Sequence, residues 1–385
     1  MAKELSLHLK EIVMSERIAS WITKASRAAS GGNAQPWDIQ FEESDSQIAF
    51  RISIDKQYQK DPSIMDVAGV ASALSIGCFG RYLVGIALLE NFDLVNKKFN
   101  DRNDLWASSV ELLFEKNENS NSEKNKPNIQ EPFHQTNRYP YKKIPLDKLF
   151  EKQLEEKAAR YSTIKLLRID KEDQNFKQAL NNLETVRWIN YQFLESLFKE
   201  ITTSDTQQLG IPVAQLGVSF LEENFIKFLK NNLELGFSML NFGLHKATVQ
   251  KNTENFLKNC SQVYFLQAAD FSLQACFDLG YCFQDLWIEV NSQKLSFQPN
   301  GNGFVALAHW HTPNNKIFNQ KEIRMIEDST QLLNQSSGLN LKVPVIGFRI
   351  GYSNKAIPLS PRRPLKGRLE AGLINSFSPP KMKSN

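Results

Sequence analysis

The chain has few cysteines, no recognisable signal segment and no long uncharged apolar run. Its four cysteines, Cys78, Cys260, Cys276 and Cys282, lie in apolar contexts and lack the close pairing of a metal site. We therefore expect buried free thiols in a reducing compartment. Met1–Lys10 mixes polar and apolar residues, and no uncharged apolar stretch reaches about 18 residues, which predicts a cytoplasmic protein without a membrane partner.

Charge of one sign is not in excess either. The 46 Lys and Arg residues nearly balance 42 Asp and Glu residues, and the net charge of +4 is too even to indicate a nucleic-acid partner. Basic residues do cluster late, at Arg362, Arg363, Lys366 and Arg368.

Familiar nucleotide and metal motifs are missing. The chain has no Walker loop and no glycine-rich dinucleotide loop. His309 and His311 share one face of a predicted strand, but no cysteine or carboxylate pattern joins them, so we expect no metal. What the chain does have is 26 phenylalanines and a length of 385 residues, enough for two or three domain-sized units.

A polar stretch at 115–131 divides the chain, because it has almost no apolar side chains to bury. We predict a first half at 1–115, a linker at 116–132, a second half at 133–370 and a tail at 371–385.

Apolar patterning predicts a related order of elements in the two halves. The first half has predicted helices at 12–29 and 67–89 and predicted strands at 39–54, 92–95 and 106–114. The second half has predicted helices at 146–159 and 262–279 and predicted strands at 164–169 and 343–350. We interpret Ala68–Leu88 and Tyr264–Leu279 as buried helices of an internal repeat, visible in element type rather than in identity.

The segment 181–258 has no counterpart in the first half. Within it, Glu222–Leu240 has the apolar spacing of an amphipathic helix. Such a helix fits either ordinary core packing or a lid over a cofactor, with Phe225, Phe228, Leu229 and Phe237 facing inward.

The most informative stretch is 26–37, which reads Ser-Arg-Ala-Ala-Ser-Gly-Gly-Asn-Ala-Gln-Pro-Trp. Its small residues let the backbone approach a flat ligand, and its amides add donors and acceptors. The residues concerned are Ser30, Gly31, Gly32, Asn33 and Gln35. A capped helix end leading into a strand would explain a shorter version of this pattern.

Two further segments suit a phosphate group. The first, at 134–141, reads His-Gln-Thr-Asn-Arg-Tyr-Pro-Tyr and offers a hydroxyl and a cation. The second is Ser360-Pro361-Arg362-Arg363-Pro364-Leu365, in which prolines flank two guanidiniums. A capped turn and a solvated basic tail are the respective alternatives.

These three segments, in this order, resemble motifs of the nitroreductase family of FMN-dependent oxidoreductases. The arrangement is similar to the Acg-type branch, in which two nitroreductase-like halves are fused. The resemblance implies an α+β fold with antiparallel-rich sheets packed on buried helices, and an internal pseudo-dimer that is a monomer in solution.

The resemblance also implies FMN as cofactor and assigns residues to it. The loop residues from the first half would approach the isoalloxazine ring, while His134, Thr136 and Arg362 or Arg363 would hold the phosphate. Arg138 would reach the N1/O2 edge, and Gln284 would lie near N5. The full predicted cofactor set is Arg27, Ser30, Gly31, Gly32, Asn33, Gln35, His134, Thr136, Asn137, Arg138, Gln284, Arg362 and Arg363.

The function implied is transfer of hydride or electrons from NAD(P)H through FMN to an electron-poor small-molecule acceptor. No side chain stands out as a catalytic acid or base. Two other classes stay open: a flavin-binding protein with little turnover, acting in storage, sequestration or sensing, and an interaction protein that has lost flavin.

Overall fold

The computed structural model describes residues 15–118, 135–203, 207–312, 315–355 and 357–364. In the first half, helix α1 (Glu16–Ala25) is capped by Ser15, whose hydroxyl accepts a hydrogen bond from the Ile18 amide. The strands are β1 (Trp37–Glu43), β2 (Gln47–Ile54), β3 (Phe92–Asn100) and β4 (Ser109–Lys116); the helices between β2 and β3 are α2 (Lys56–Lys60) and α3 (Val70–Leu89).

The four strands pair antiparallel in the order β1-β2-β4-β3. Alternating apolar side chains of these strands meet α1 and α3. The fully buried Trp21 of α1 contacts the rings of Phe50, Phe92 and Phe114 from three different strands. The predicted strands of the first half are therefore confirmed, with β3 longer than expected.

The second half begins with α4 (Lys148–Ala158) and β5 (Ile164–Ile169). A mainly helical insertion follows: α5 (Gln174–Ile189), α6 (Tyr191–Glu200), β6 (Ile201–Thr202), β7 (Ile211–Pro212), α7 (Phe220–Asn231), α8 (Leu233–Met239) and α9 (His245–Leu257). The chain then continues through β8 (Gln262–Ala268), α10 (Leu273–Ser292), β9 (Ser296–Asn300), α11 (Asn302–Trp310), α12 (Gln320–Ser336) and β10 (Val345–Gly351).

The second sheet is also antiparallel, in the order β5-β8-β10-β9. If the four strands of each sheet are numbered by their order in the chain, the first, second, fourth and third strands are neighbours in both sheets. A helix of 20 residues follows the second of these strands in each sheet: α3 in the first half and α10 in the second. These two helices pack on each other so closely at Gly77 and Gly280 that a Cβ on either glycine would overlap the other helix's backbone.

The helix predicted at Gln262–Leu279 is wrong. This stretch contains β8, a turn and the beginning of α10. The strand is almost wholly buried and pairs on both edges, so its continuous apolar run has the same pattern as a buried helix. The element equivalent to α3 is therefore α10, not Tyr264–Leu279.

Two smaller expectations are also corrected. His309 lies on α11 rather than on a strand, and His311 follows that helix. The amphipathic segment 222–240 is two helices, since Asn232 leaves helical geometry between α7 and α8.

The long apolar segment Val67–Leu89 has the length and composition of a membrane-spanning helix, although it contains Arg81. In this fold 83% of its apolar window is buried inside the protein, which is typical of a core helix. All four cysteines are buried and free, which confirms the prediction of free thiols. Most of the predicted linker, the tail at 371–385, Lys366 and Arg368 lie outside the described residues.

Candidate functional site

A cavity of about 640 Å³ lies between the first-half loop at 29–33 and elements of the second half. One wall is formed by that loop and the beginning of α3. The rest of the lining includes residues of α5, α6, α7, α9 and α10. The cavity is therefore lined from both sides of the polar stretch that divides the sequence.

The loop after α1 has unusual backbone geometry. Gly32, Asn33 and Gln35 all have positive φ, at 56°, 57° and 50°, in the left-handed region. A Cβ on Gly32 would lie 2.7 Å from Cδ of Glu200, so only glycine fits there without displacing that carboxyl group. The Ser30 hydroxyl oxygen accepts a hydrogen bond from the backbone N–H of Gln35 at 3.2 Å, which closes the loop.

The segment 360–363 returns to this loop and holds it. The Arg362 guanidinium donates to the Asn33 side-chain oxygen at 2.7 Å and to the backbone carbonyls of Ser26 and Arg27 at 2.9 and 3.2 Å. Arg27 in turn donates to the Ser360 carbonyl at 2.7 Å. Two motifs that are more than 300 residues apart are thus joined at one wall of the cavity.

Arg138 and Thr136 lie at another part of the cavity wall. The Arg138 guanidinium donates to the Gln215 carbonyl at 3.0 Å. Burial, with a smaller contribution from the neighbouring Arg187, lowers the Arg138 pKa to about 10, and burial also lowers the Arg27 pKa. Among the described residues, neither arginine has a carboxylate partner.

The predicted cofactor residues separate into two groups in the structure. Those that line the cavity are Arg27, Ser30, Gly31, Gly32, Asn33, Thr136, Arg138 and Arg362. Those outside its lining are Gln35, Asn137, Gln284 and Arg363, and His134 lies outside the described residues.

Each of the residues outside the lining makes hydrogen bonds within the protein. Gln35 donates to the Gln208 carbonyl at 2.8 Å and accepts from the Arg363 amide at 2.9 Å. The Arg363 guanidinium pairs with Asp55 at 2.9 Å. Gln284 accepts from the Ala29 amide at 3.2 Å, and Asn137 donates to the Ser296 hydroxyl at the same distance. These contacts position the loops around the cavity.

Sequence reasoning missed most cavity residues of the insertion, among them the polar residues Glu184, Arg187, Trp188 and Glu200. On α5, Arg187 pairs with Glu184 at 3.2 Å, and both are buried. The Arg187 Nε and the Trp188 Nε1 are buried without a hydrogen-bond partner in the described structure. Glu200, the last residue of α6, also lines the cavity. The sequence feature that could have indicated them is the pair Glu184 and Arg187, two charged residues three positions apart on an otherwise apolar face of α5.

Only some of the apolar residues expected to face inward from the insertion line the cavity. Leu229 is buried and lines it, and Phe225 lines it while staying 40% exposed. Phe228 and Phe237 are not among the lining residues. Among the described residues, no group of three or more His, Cys, Asp or Glu side chains is placed to hold a metal ion.

No family model matches the chain, and no curated protein matches it. Among solved structures it is similar to the FMN-dependent nitroreductase NfnB from Mycobacterium smegmatis in complex with NADPH. That match has 13% sequence identity and a TM-score of 0.30, and covers 57% of this chain and 84% of the other. A TM-score this low supports no conclusion about the function of this chain.

Proposed function

We propose that this protein binds FMN in the cavity and acts as a nitroreductase-like oxidoreductase. In this proposal NAD(P)H is the donor and an electron-poor small molecule is the acceptor. The observation that supports it most strongly is the pair Arg27 and Arg138, two cavity arginines without a described carboxylate partner. A partly buried cation without an opposite charge is costly, so such a cavity favours an anionic ligand.

The lining also suits a flat, hydrogen-bonding ligand. A Cβ on Gly31 would meet no atom within 4 Å, so this part of the wall is open backbone surface. The donors Arg27 Nε, Arg187 Nε and Trp188 Nε1 belong to cavity-lining residues and have no acceptor among the described residues, so a ligand would supply one. A volume of about 640 Å³ is within the range of cofactor sites.

Different residues would bind different parts of FMN. Arg138 and Thr136 would bind the phosphate or an adjoining polar group, and Ser30–Asn33 would border the ring. Arg362 would act mainly by fixing the loop, since its guanidinium already donates to three loop residues. When bound, FMN supplies the capacity to take up and release hydride.

We also propose that the two halves form an internal pseudo-dimer in a single, monomeric chain. The shared strand order and the matching long helices support this interpretation. Only the first half supplies the small-residue loop, and only the second supplies Thr136 and Arg138. The proposal therefore has one flavin site per chain.

A flavin-binding protein with little turnover is the second candidate. The observation in its favour is the insertion, from which Phe225, Ile226 and Leu229 line the cavity. A helical cover of this kind would restrict the entry of acceptors while retaining the flavin.

The absorbance spectrum of the purified protein, before and after NADPH is added, tests the proposal. We expect a yellow protein whose flavin absorbance decreases with NADPH and returns with a nitroaromatic or quinone acceptor. A yellow protein that NADPH leaves unchanged would favour the second candidate. A colourless protein that takes up no FMN would contradict both and support an interaction protein.

A further inference from the structure

We propose that Glu200 is the proton donor of this cavity, delivering a proton to an acceptor that has received a hydride. The inference rests on the proposed oxidoreductase function and adds a residue that the cofactor motifs do not include. It is based on where the carboxyl group lies, what it contacts and how deeply it is buried.

Glu200 is placed at the cavity wall by the end of α6. One carboxyl oxygen, Oε2, faces the loop, where a Cβ on Gly32 would lie 2.8 Å from it. Gly31, Gly32 and Glu200 all line the cavity. The positive φ of Gly32 and its missing side chain therefore leave room for this carboxyl group beside the proposed ring-binding surface.

The other oxygen, Oε1, receives a hydrogen bond along a short chain of hydroxyls. The Ser63 hydroxyl donates to it at 3.0 Å, and the Ser196 and Ser63 hydroxyls are 3.0 Å apart. Because Ser63 has a single proton, Ser196 is the donor in the second bond. In the described part of the chain, no donor reaches Oε2, so a proton on Oε2 would lie beside Gly32 of the cavity lining.

Burial favours the neutral acid. It is the largest contribution and raises the pKa of Glu200, whereas the Ser63 hydrogen bond and Arg187 lower it and the nearby Asp66 raises it by the least. Tyr58 is a further titratable neighbour. Asp66 is itself buried and accepts hydrogen bonds from the Ser72 hydroxyl and the amides of Ala71 and Ser72.

In the proposed chemical step the acceptor takes up one hydride and one proton. The hydride, derived from NAD(P)H, adds to the nitrogen of a nitro group or to one oxygen of a quinone. An electron pair moves to an oxygen of the nitro group, or through the conjugated ring to the second quinone oxygen. The Glu200 O–H bond breaks as the new O–H bond forms. The carboxylate that remains is stabilised by Ser63 and Arg187 and regains its proton from water.

The decisive variant is Glu200→Gln, which keeps the shape and removes the acidic proton. Its matched control is Glu195→Gln, five residues earlier on α6, where the carboxylate is 41% exposed and pairs with Lys199. Each protein is loaded with FMN, reduced with NADPH under anaerobic conditions and mixed with p-benzoquinone in a stopped-flow spectrometer.

We expect wild type and Glu195→Gln to be reoxidised more slowly as the pH rises through the pKa of Glu200, since the protonated form is lost. Glu200→Gln should be reoxidised at least about tenfold more slowly at neutral pH and without this pH dependence. Its FMN content and its rate of reduction by NADPH should stay close to wild type. Equal reoxidation rates and pH profiles in Glu200→Gln and wild type would overturn the proposal.

A second measurement is independent of turnover. The infrared spectrum of the wild-type protein at neutral pH should contain a carboxylic-acid C=O band that Glu200→Gln lacks and Glu195→Gln retains. If the band is missing in wild type, Glu200 is ionised and the proposal fails even in an active flavoprotein. A protein without flavin would instead overturn the proposed function, and the band would still report the protonation of Glu200. Should Glu200→Gln fail to fold, Ser63→Ala is the substitute, expected to shift the pH profile.

Discussion

Gly77 of α3 and Gly280 of α10 occupy reciprocal positions in the contact between the two long helices. A Cβ on Gly77 would lie 2.0 Å from the Phe277 carbonyl oxygen, and a Cβ on Gly280 would lie 1.8 Å from that of Leu74. Leu74 precedes Gly77 by as many residues as Phe277 precedes Gly280. At these two glycines the contact between the helices is therefore reciprocal.

This geometry predicts that Gly77→Ala and Gly280→Ala each destabilise the fold. The added methyl group must push apart two buried backbones, and overpacking of this kind typically costs about 1–3 kcal/mol or more. Denaturant unfolding measures the loss, with Gly31→Ala as the control because its Cβ would meet nothing within 4 Å. A variant at Gly77 as stable as wild type would show that the helices separate without cost.

Replacing Arg138 by alanine should weaken FMN binding through the phosphate. A charge-assisted hydrogen bond contributes roughly 1.5–3 kcal/mol, so we expect an increase in Kd of about tenfold or more. Riboflavin, which has no phosphate, should bind wild type and variant almost equally. Fluorescence titration measures both, and Arg168→Ala, an arginine with a 56% exposed side chain on β5, is the control. An equal loss for both ligands would assign Arg138 to the ring or to the fold.

Arg362→Ala should give a different pattern. Since Arg362 bonds to Ser26, Arg27 and Asn33, its loss should loosen the loop and weaken FMN and riboflavin to a similar extent. Fluorescence titration of the variant with FMN and with riboflavin measures both losses. A loss confined to FMN would instead assign Arg362 to the phosphate, as the family resemblance implies.

An internal pseudo-dimer predicts a monomer with one flavin. Sedimentation at micromolar concentration should give a mass near 44.0 kDa. Flavin released by heat should amount to one molecule per chain. A ratio of two would mean that the halves carry equivalent sites, and a stable dimer would mean that a second interface exists.

The cysteines should be inert in the native protein. Burial raises the pKa of Cys276 to about 12 and that of Cys260 to about 11, and it also raises those of Cys78 and Cys282. Because the thiolate is the reactive form, a thiol reagent at pH 8 should label none of them before unfolding and all four afterwards. Rapid labelling of the folded protein would contradict their burial.

Much of the fold was predictable because local patterning and tertiary packing agree. The strand pair β1 and β2 follows from alternating apolar residues around a polar turn, and β5 has the predicted bounds. The error at β8 has a physical cause. A strand paired on both edges and covered on both faces loses the period-two pattern that distinguishes strands from helices.

The candidate site was predictable only where a short motif provides it. The loop at Ser30–Asn33, together with Thr136 and Arg138, was identified from local residue types. Glu200 and Arg187 were not, because a lone carboxylate at a helix end and an Arg–Glu pair on α5 have no local pattern that indicates a cavity.

The sequence by itself thus predicted the strands of the first half, the strands β5 and β10 and the long buried helix α3, and it identified polar loops that we propose bind a flat anionic ligand. Tertiary structure alone decided which polar groups remain for that ligand. Arg363 pairs with Asp55 and Gln35, whereas Arg138 keeps most of its donors unused in the described structure. The reason is that the hydrogen-bond partner of a side chain often lies hundreds of residues away in the sequence. A short motif shows only which donors and acceptors are present, not which of them are already paired in the fold.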